Sequence, residues 1–252
     1  MKNLWELETY INPNIFYLFN KEIIEYDIKS AGMNISRAFN LIDKDKYEKL
    51  KSMDKSKRVK EIGLMQRRDP MFVKSLMNAF ANTRKLFIES NNLEESDIVS
   101  IKKDAIFVTK RCDYTKFMDY IEFKEKNIYS SYIHLNRKIE LYYNTDKLDI
   151  KGIGDNKIEL HKDYLIPVII KFIRKMESGD NIEAIDYIRR FIGKYKRKEL
   201  DVGYYRRFDS LSEFDVNMPD DEFIFNPNIH KEYIDIMYNL TEVLLKLIKI
   251  PL

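Results

Sequence analysis

The chain has a single cysteine, Cys112, among 252 residues, so no internal disulfide framework staples it together. Its 7 glycines and 6 prolines are spread thinly. No Gly-Ser linker, low-complexity tract or internal repeat divides it, and the absence of a Gly-Lys-Ser/Thr segment argues against a P-loop ATPase. The three histidines, His134, His161 and His230, stand far apart and lack the paired spacing of a zinc site. The first 14 residues have no cationic region leading into a long apolar run, so no secretory signal is read there. The most apolar stretch, residues 164–173, is interrupted by Pro167 and falls well short of the roughly 20 residues that span a bilayer. The expectation is a protein of the cytoplasm, the host's if the chain is viral. Charge of one sign is also missing. Lys and Arg total 44 against 41 Asp and Glu, a net +3, so any basic surface must be local.

What is present is enough apolar material, 44%, for one compact body or two closely packed ones. The heavy use of Lys, Ile, Asn and Tyr points to an AT-rich genome of the kind many phages and Firmicutes carry. Residues 21–28 (KEIIEYDI) are apolar and β-branched, which predicts a buried strand ending near Asp27. A helix is predicted over 30–42. Residues 43–60 carry lysines and acids at helical spacing with few apolar anchors, as expected of an exposed helix or helical hairpin. Asp69-Pro70 is a helix start, with Asp69 as cap and Pro70 in the first turn. Phe72, Leu76, Phe80, Thr83 and Phe87 then recur at helical spacing as far as Ser90, with Lys74 and Asn78 on the opposite face. DIVSI, Lys102-Lys103 and DAIFVT read as a β-hairpin with Asp104 at its tip. Further strands are expected at 117–123, 129–135, 139–143 and 147–150, and helices at 165–176, 182–192 and 229–250.

The chemistry lies in the pairing of an aspartate at a strand end with another at a hairpin tip. Transfer of a nucleotidyl group needs oxygen ligands that hold divalent cations, and two converging carboxylates supply them. An aspartate at a turn also has a purely structural use. Beside this pair, Arg67 and Arg68 precede the long helix, suited either to a triphosphate or to a solvated helix end. Lys194, Lys196, Arg197, Lys198, Arg206 and Arg207 are interleaved with Tyr195, Tyr204 and Tyr205. That composition fits phosphate backbones and stacked bases as well as an exposed helix end.

Four segments carry a family resemblance. Tyr26-Asp27-Ile28-Lys29-Ser30-Ala31-Gly32-Met33-Asn34-Ile35 resembles the first catalytic motif of family B DNA polymerases, with Asp27, Ser30 and Ile35 matching it. Lys74-Ser75-Leu76-Met77-Asn78 is similar to that family's fingers motif. Ser100-Ile101-Lys102-Lys103-Asp104-Ala105-Ile106-Phe107-Val108 resembles its third motif, with Asp104 at the second, essential Asp. Lys147 to Ile153, which includes Lys151, is similar to the Lys-Gly-Ile strand that helps hold the primer duplex. The four appear in the family's order.

The resemblance implies an α+β fold: a palm of antiparallel sheet and helices, a short fingers helix and a helical, thumb-like C-terminal region. It places palm and fingers over 1–155, with the fingers at about 43–92, and the thumb over 156–252. It implies template-directed nucleotidyl transfer on a primer-template with nucleoside triphosphates, and it leaves room for a partner subunit. Asp27 and Asp104 would hold Mg2+ or Mn2+. Lys74, with Arg67 or Arg68, would neutralise the triphosphate, and Asn78 would line the base-pair pocket. The departures are specific. Lys102 replaces the family's first Asp of the third motif. Ala81 and Asn82 stand where Tyr-Gly is usual, and Gly32 occupies the position of the Tyr that blocks a ribose 2′-hydroxyl. If catalysis is kept, ribonucleotides are expected to be tolerated. The rival reading is a palm-derived protein without catalysis, serving as a nucleic-acid-binding or assembly subunit of a viral complex.

Overall fold

A computed structural model describes residues 3–135, 139–145, 147–152, 155–197 and 199–200, with residues 155–165 and 195–196 described in backbone only. The fold is mixed α+β with antiparallel sheets. Packing divides it into two compact units. One joins Met1–Asn14 to Glu22–Tyr129; the other joins Ile15–Lys21 to the chain from Ser130 on. This division by packing is a different cut from the functional one drawn in the sequence at 155.

In the first unit a six-stranded sheet runs in the order β1 (Thr9–Ile11), β4 (Ile98–Lys102), β5 (Ala105–Val108), β3 (Ile23–Ile28), β7 (Ile121–Tyr129), β6 (Lys116–Met118). β3 is internal, between β5 and β7, and all but one of its residues are buried. Alternation along a strand sends Ile24, Tyr26 and Ile28 to one face, where they join the core with Ile101, Ile106, Val108 and Phe123. Glu25 and Asp27 therefore share the other face. Four helices accompany the sheet: α1 (Ala31–Ala38), α2 (Lys44–Ser52), α3 (Lys55–Arg68) and α4 (Pro70–Ser90). The core-facing stripe of α4 is buried as its spacing requires, with Phe72, Leu76, Phe80, Thr83 and Phe87 all inside. The Asp69 carboxylate accepts from the Met71 and Phe72 amides and caps this helix.

The second unit has a four-stranded sheet in the order β10 (Lys147–Lys151), β9 (Glu140–Asn144), β8 (Ser131–His134), β2 (Tyr17–Leu18). Its core brings Ile133, Leu141, Tyr143 and Leu148 against Val168, Phe172 and Ile173 of α5 (Asp155–Glu177) and Ile188 of α6 (Asn181–Lys196). The expected helix over 229–250 lies outside the described residues.

One difference in the strands bears on function. Residues 117–123 are not one strand: a turn at Asp119-Tyr120 separates β6 from β7, and β7 continues to Tyr129. The stretch Lys124-Glu125-Lys126-Asn127 is too charged to read as strand material, but β7 forms because it pairs along the whole of β3.

Candidate active site

The hairpin of β4 and β5 is where the sequence places it, with Lys103-Asp104 as its turn. Asp27 on β3 is the cross-strand partner of Ala105 on β5. Directly opposed residues in an antiparallel pair lie about 4.5–5.5 Å apart, so Asp104 begins one residue beyond the position facing Asp27. The two aspartates are brought together. Both are partly buried. Burial, and next the negative charge of Asp27, hold the Asp104 carboxyl above its ordinary pKa, with Lys103 and Lys126 opposing.

The turn that presents Asp104 is fixed through Lys103. This lysine adopts a left-handed backbone, φ 55°, which is unfavourable for a side-chain-bearing residue unless its surroundings hold it there. They do so at three points. Its amide donates to the Glu8 carbonyl at 2.7 Å, and its carbonyl accepts from Arg84 Nη1 at 2.8 Å. Its ammonium lies 5.5 Å from the centre of the Phe80 ring. Arg84 projects from α4, is only 2% exposed, and also donates from Nε to the Trp5 carbonyl at 2.9 Å. Burial pushes its pKa down, while the charges of Glu8 and Asp104 hold it up. No signal in the sequence singles out Arg84, because it lies on the same helix as the apolar stripe and its partners are backbone carbonyls distant in the chain.

Two further residues of the site are not evident from the sequence. Glu25 is 2% exposed; its Oε2 accepts from Asn127 Nδ2 at 2.6 Å and the Tyr129 hydroxyl at 3.1 Å. Lys126 places its Nζ 2.7 Å from Asp27 Oδ2 and 3.2 Å from Glu25 Oε1. Burial works against the Lys126 charge, but the bond to Asp27 and the Glu25 charge outweigh it and raise its pKa. A carboxylate inside an otherwise apolar strand was the one available signal for Glu25. None existed for Lys126.

The segment after β3 follows the strand end directly. Ser30 is left-handed, φ 54°, and its Oγ accepts from Arg58 Nη1 of α3 at 2.8 Å. Gly32 lies in the first turn of α1, and a Cβ there would meet Ile62 Cδ1 at 3.5 Å, ordinary contact. Arg67 and Arg68 end α3, and Lys74 and Asn78 lie on the outer face of α4; all four are exposed. Among the described residues the ion partner of Asp27 is Lys126, not one of these cations.

The remaining basic residues belong to the second unit. Lys151 ends the edge strand β10. Lys194 is exposed on α6, Lys196 is its last residue, and Arg197 pairs with Glu199 through Nε at 2.6 Å and Nη2 at 2.9 Å. Lys198, Arg206 and Arg207 lie outside the described residues.

As a donor set for a divalent cation, Asp27 and Asp104 fit a hard ion such as Mg2+. They are two oxygen ligands whose mutual repulsion a cation relieves, and Mg2+ is commonly held by one or two carboxylates with substrate phosphates and water completing the shell. Among the described residues there is no group of three or more His, Cys, Asp or Glu arranged to hold a metal. No helix of the described residues is long and apolar enough to cross a membrane.

Compared with known proteins, residues 1–252 match the model of the family described as Bacteriophage PBS1 gene 130 protein, and the chain belongs to that phage family. No curated protein matches it.

Proposed function

We propose that this phage protein is a nucleotidyltransferase that extends a nucleic acid by two-metal phosphoryl transfer. The observation that carries the reading is the register of β3 on β5, which sets Asp27 opposite the residue after Asp104. In the reading, Asp27 and Asp104 would hold the divalent ions. Such ions supply Lewis acidity and charge neutralisation at the reacting phosphate. The chain's own residues do the rest. Arg84 and Glu8 fix the Asp104 turn, so the carboxylate is in place before substrate arrives and costs little reorganisation. Exposed Lys74, Arg67 and Arg68 bind the triphosphate by charge-assisted hydrogen bonds, and Asn78, one turn beyond Lys74, lines the nucleotide pocket. Gly32 presents no side chain to a ribose 2′-hydroxyl, which leaves ribonucleotides acceptable. Lys151, Lys194, Lys196, Arg197, Lys198, Arg206 and Arg207 hold phosphate backbone. The order of the motif-like segments, similar to family B DNA polymerases, supports the same reading.

A second reading is favoured by one observation, the Lys126–Asp27 ion pair, which neutralises the candidate ligand from within. In that reading the protein is an inactive relative that binds nucleic acid or assembles with other subunits.

Primer extension with the purified protein, Mg2+ or Mn2+, and deoxy- or ribonucleotides separates the two. Extension that disappears in the Asp27→Ala, Asp104→Ala variant is expected. No extension with either metal, alongside intact nucleic-acid binding, would favour the inactive reading.

A further inference from the structure

We infer that Lys126 is a tethered cation that occupies Asp27 in the metal-free protein and yields it to a divalent ion, with Glu25 as the seat that retains the displaced ammonium. The inference rests on the reading that Asp27 is a metal ligand.

Three features of the strands place the ammonium there. Pairing between β3 and β7 shifts register between Glu25 and Tyr26: Glu25 faces Asn127, while Tyr26 faces Glu125. Lys126 is the extra residue of that bulge. Lys124 faces Asp27, so alternation sets Lys126, two residues on, on the face that carries Glu25 and Asp27, and the bulge breaks that alternation to bring Asn127 beside it on Glu25. Those two carboxylates lie two residues apart on β3, hence side by side on one face, and the ammonium reaches both, at 3.2 and 2.7 Å.

The two contacts differ in kind. Glu25 is fixed: it is 2% exposed, and its Oε2 is already bound by Asn127 and Tyr129, leaving Oε1 to the ammonium. Asp27 is partly exposed, its side chain at 23%, and Lys126 is half exposed at 52%. The Asp27 contact is therefore the one open to exchange with a cation from solution. A divalent ion there replaces one positive charge with two, which relieves Asp104 as well as Asp27. Lys126 meanwhile keeps Glu25 paired, so no buried carboxylate is stranded without a counter-charge, the costly outcome when one partner of a buried pair is removed. Glu25 thus acts as a positioning residue for Lys126, and Lys126 sets how tightly Asp27 takes its metal.

The test is Mn2+ binding to the full chain without nucleotide, followed by the loss of the free-ion electron paramagnetic resonance signal. A hydrogen bond between charged groups is stronger than a neutral one, and having to displace it weakens metal binding. Half exposure and the retained Glu25 contact reduce this, so Lys126→Met is expected to tighten Mn2+ binding by roughly five- to tenfold. Lys126→Arg keeps the charge and is expected to stay within about twofold of the parent on the same grounds. Adding Asp27→Asn to Lys126→Met should abolish the gain. An unchanged affinity in Lys126→Met, or a gain that survives Asp27→Asn, overturns the inference while leaving the metal reading standing. No Mn2+ binding by either the parent or Lys126→Met overturns both. Melting curves of each variant check the fold: Lys126→Arg is expected to melt with the parent and Lys126→Met at a lower temperature, because it leaves the buried Glu25 without its counter-charge.

Discussion

Tyr26 shows how closely structure and chemistry are interleaved on β3. It stands one residue before Asp27 and points the other way, its ring 5.2 Å from that of Phe87. Its hydroxyl accepts from the Cys112 amide at 3.0 Å and donates to Glu125 Oε1 at 3.1 Å. Burial, above all, pushes the Tyr26 phenol up to about 12. An acid whose pKa is raised in the folded state adds stability below its unfolded pKa of about 10, and that stability is lost as pH climbs through the folded value. Tyr26→Phe should therefore cost about 1–3 kcal/mol at neutral pH, because the buried Cys112 amide loses its acceptor. The gap to the parent should narrow between pH 10 and 12 in urea unfolding. A constant gap across that range would show that the hydroxyl is not shielded as described. At this scale Asp27 and Asp104 were legible, one as a strand end and the other as a hairpin tip. Glu25 and Lys126 were not. Their meaning depends on a bulge, and a bulge is a property of two paired strands, invisible in either one alone.

Among the elements, α4 is the most fully written in its own residues. Asp69-Pro70 starts it, an unbroken apolar stripe carries it through six turns, and Asn91-Asn92 ends it, so its bounds Pro70–Ser90 follow from local rules. Asp69→Ala should remove the acceptor for two amides and cost about 1 kcal/mol. Thermal unfolding should shift down by a few degrees, and an unchanged midpoint would mean the cap contributes nothing. β7 is the opposite case. Its buried end, Ile121 and Phe123, reads as a strand, but the alternation fails over 124–128, where exposed charges prevail. The missing information is the partner: β3 supplies hydrogen-bonding groups from Phe123 to Tyr129, and this tertiary pairing overrides a weak local preference. β1 and β2, of three and two residues, are too short to show a period at all.

At the scale of the whole molecule, the candidate site exists only because distant parts of the chain close on one another. Arg84 joins α4 to Trp5 and to the Lys103 turn, and the N-terminal strand β1 pairs with β4 and so borders the hairpin that bears Asp104. The α+β class was legible in the sequence because strand-like and helix-like periods are both plain in it. The division at Tyr129 was not, since it follows from β2 pairing with β8 across more than a hundred residues. The net charge of +3 gives the molecule no general attraction to nucleic acid, so the proposed activity depends on local groups acting together. If Asp27 and Asp104 form one site, their losses cannot be independent. The direct measurement is the primer-extension rate of the parent, Asp27→Asn, Asp104→Asn and the double variant. Each single substitution should reduce the rate nearly to that of the double. Losses that multiply, a single variant that keeps the parent's rate, or a parent that extends nothing would contradict the account.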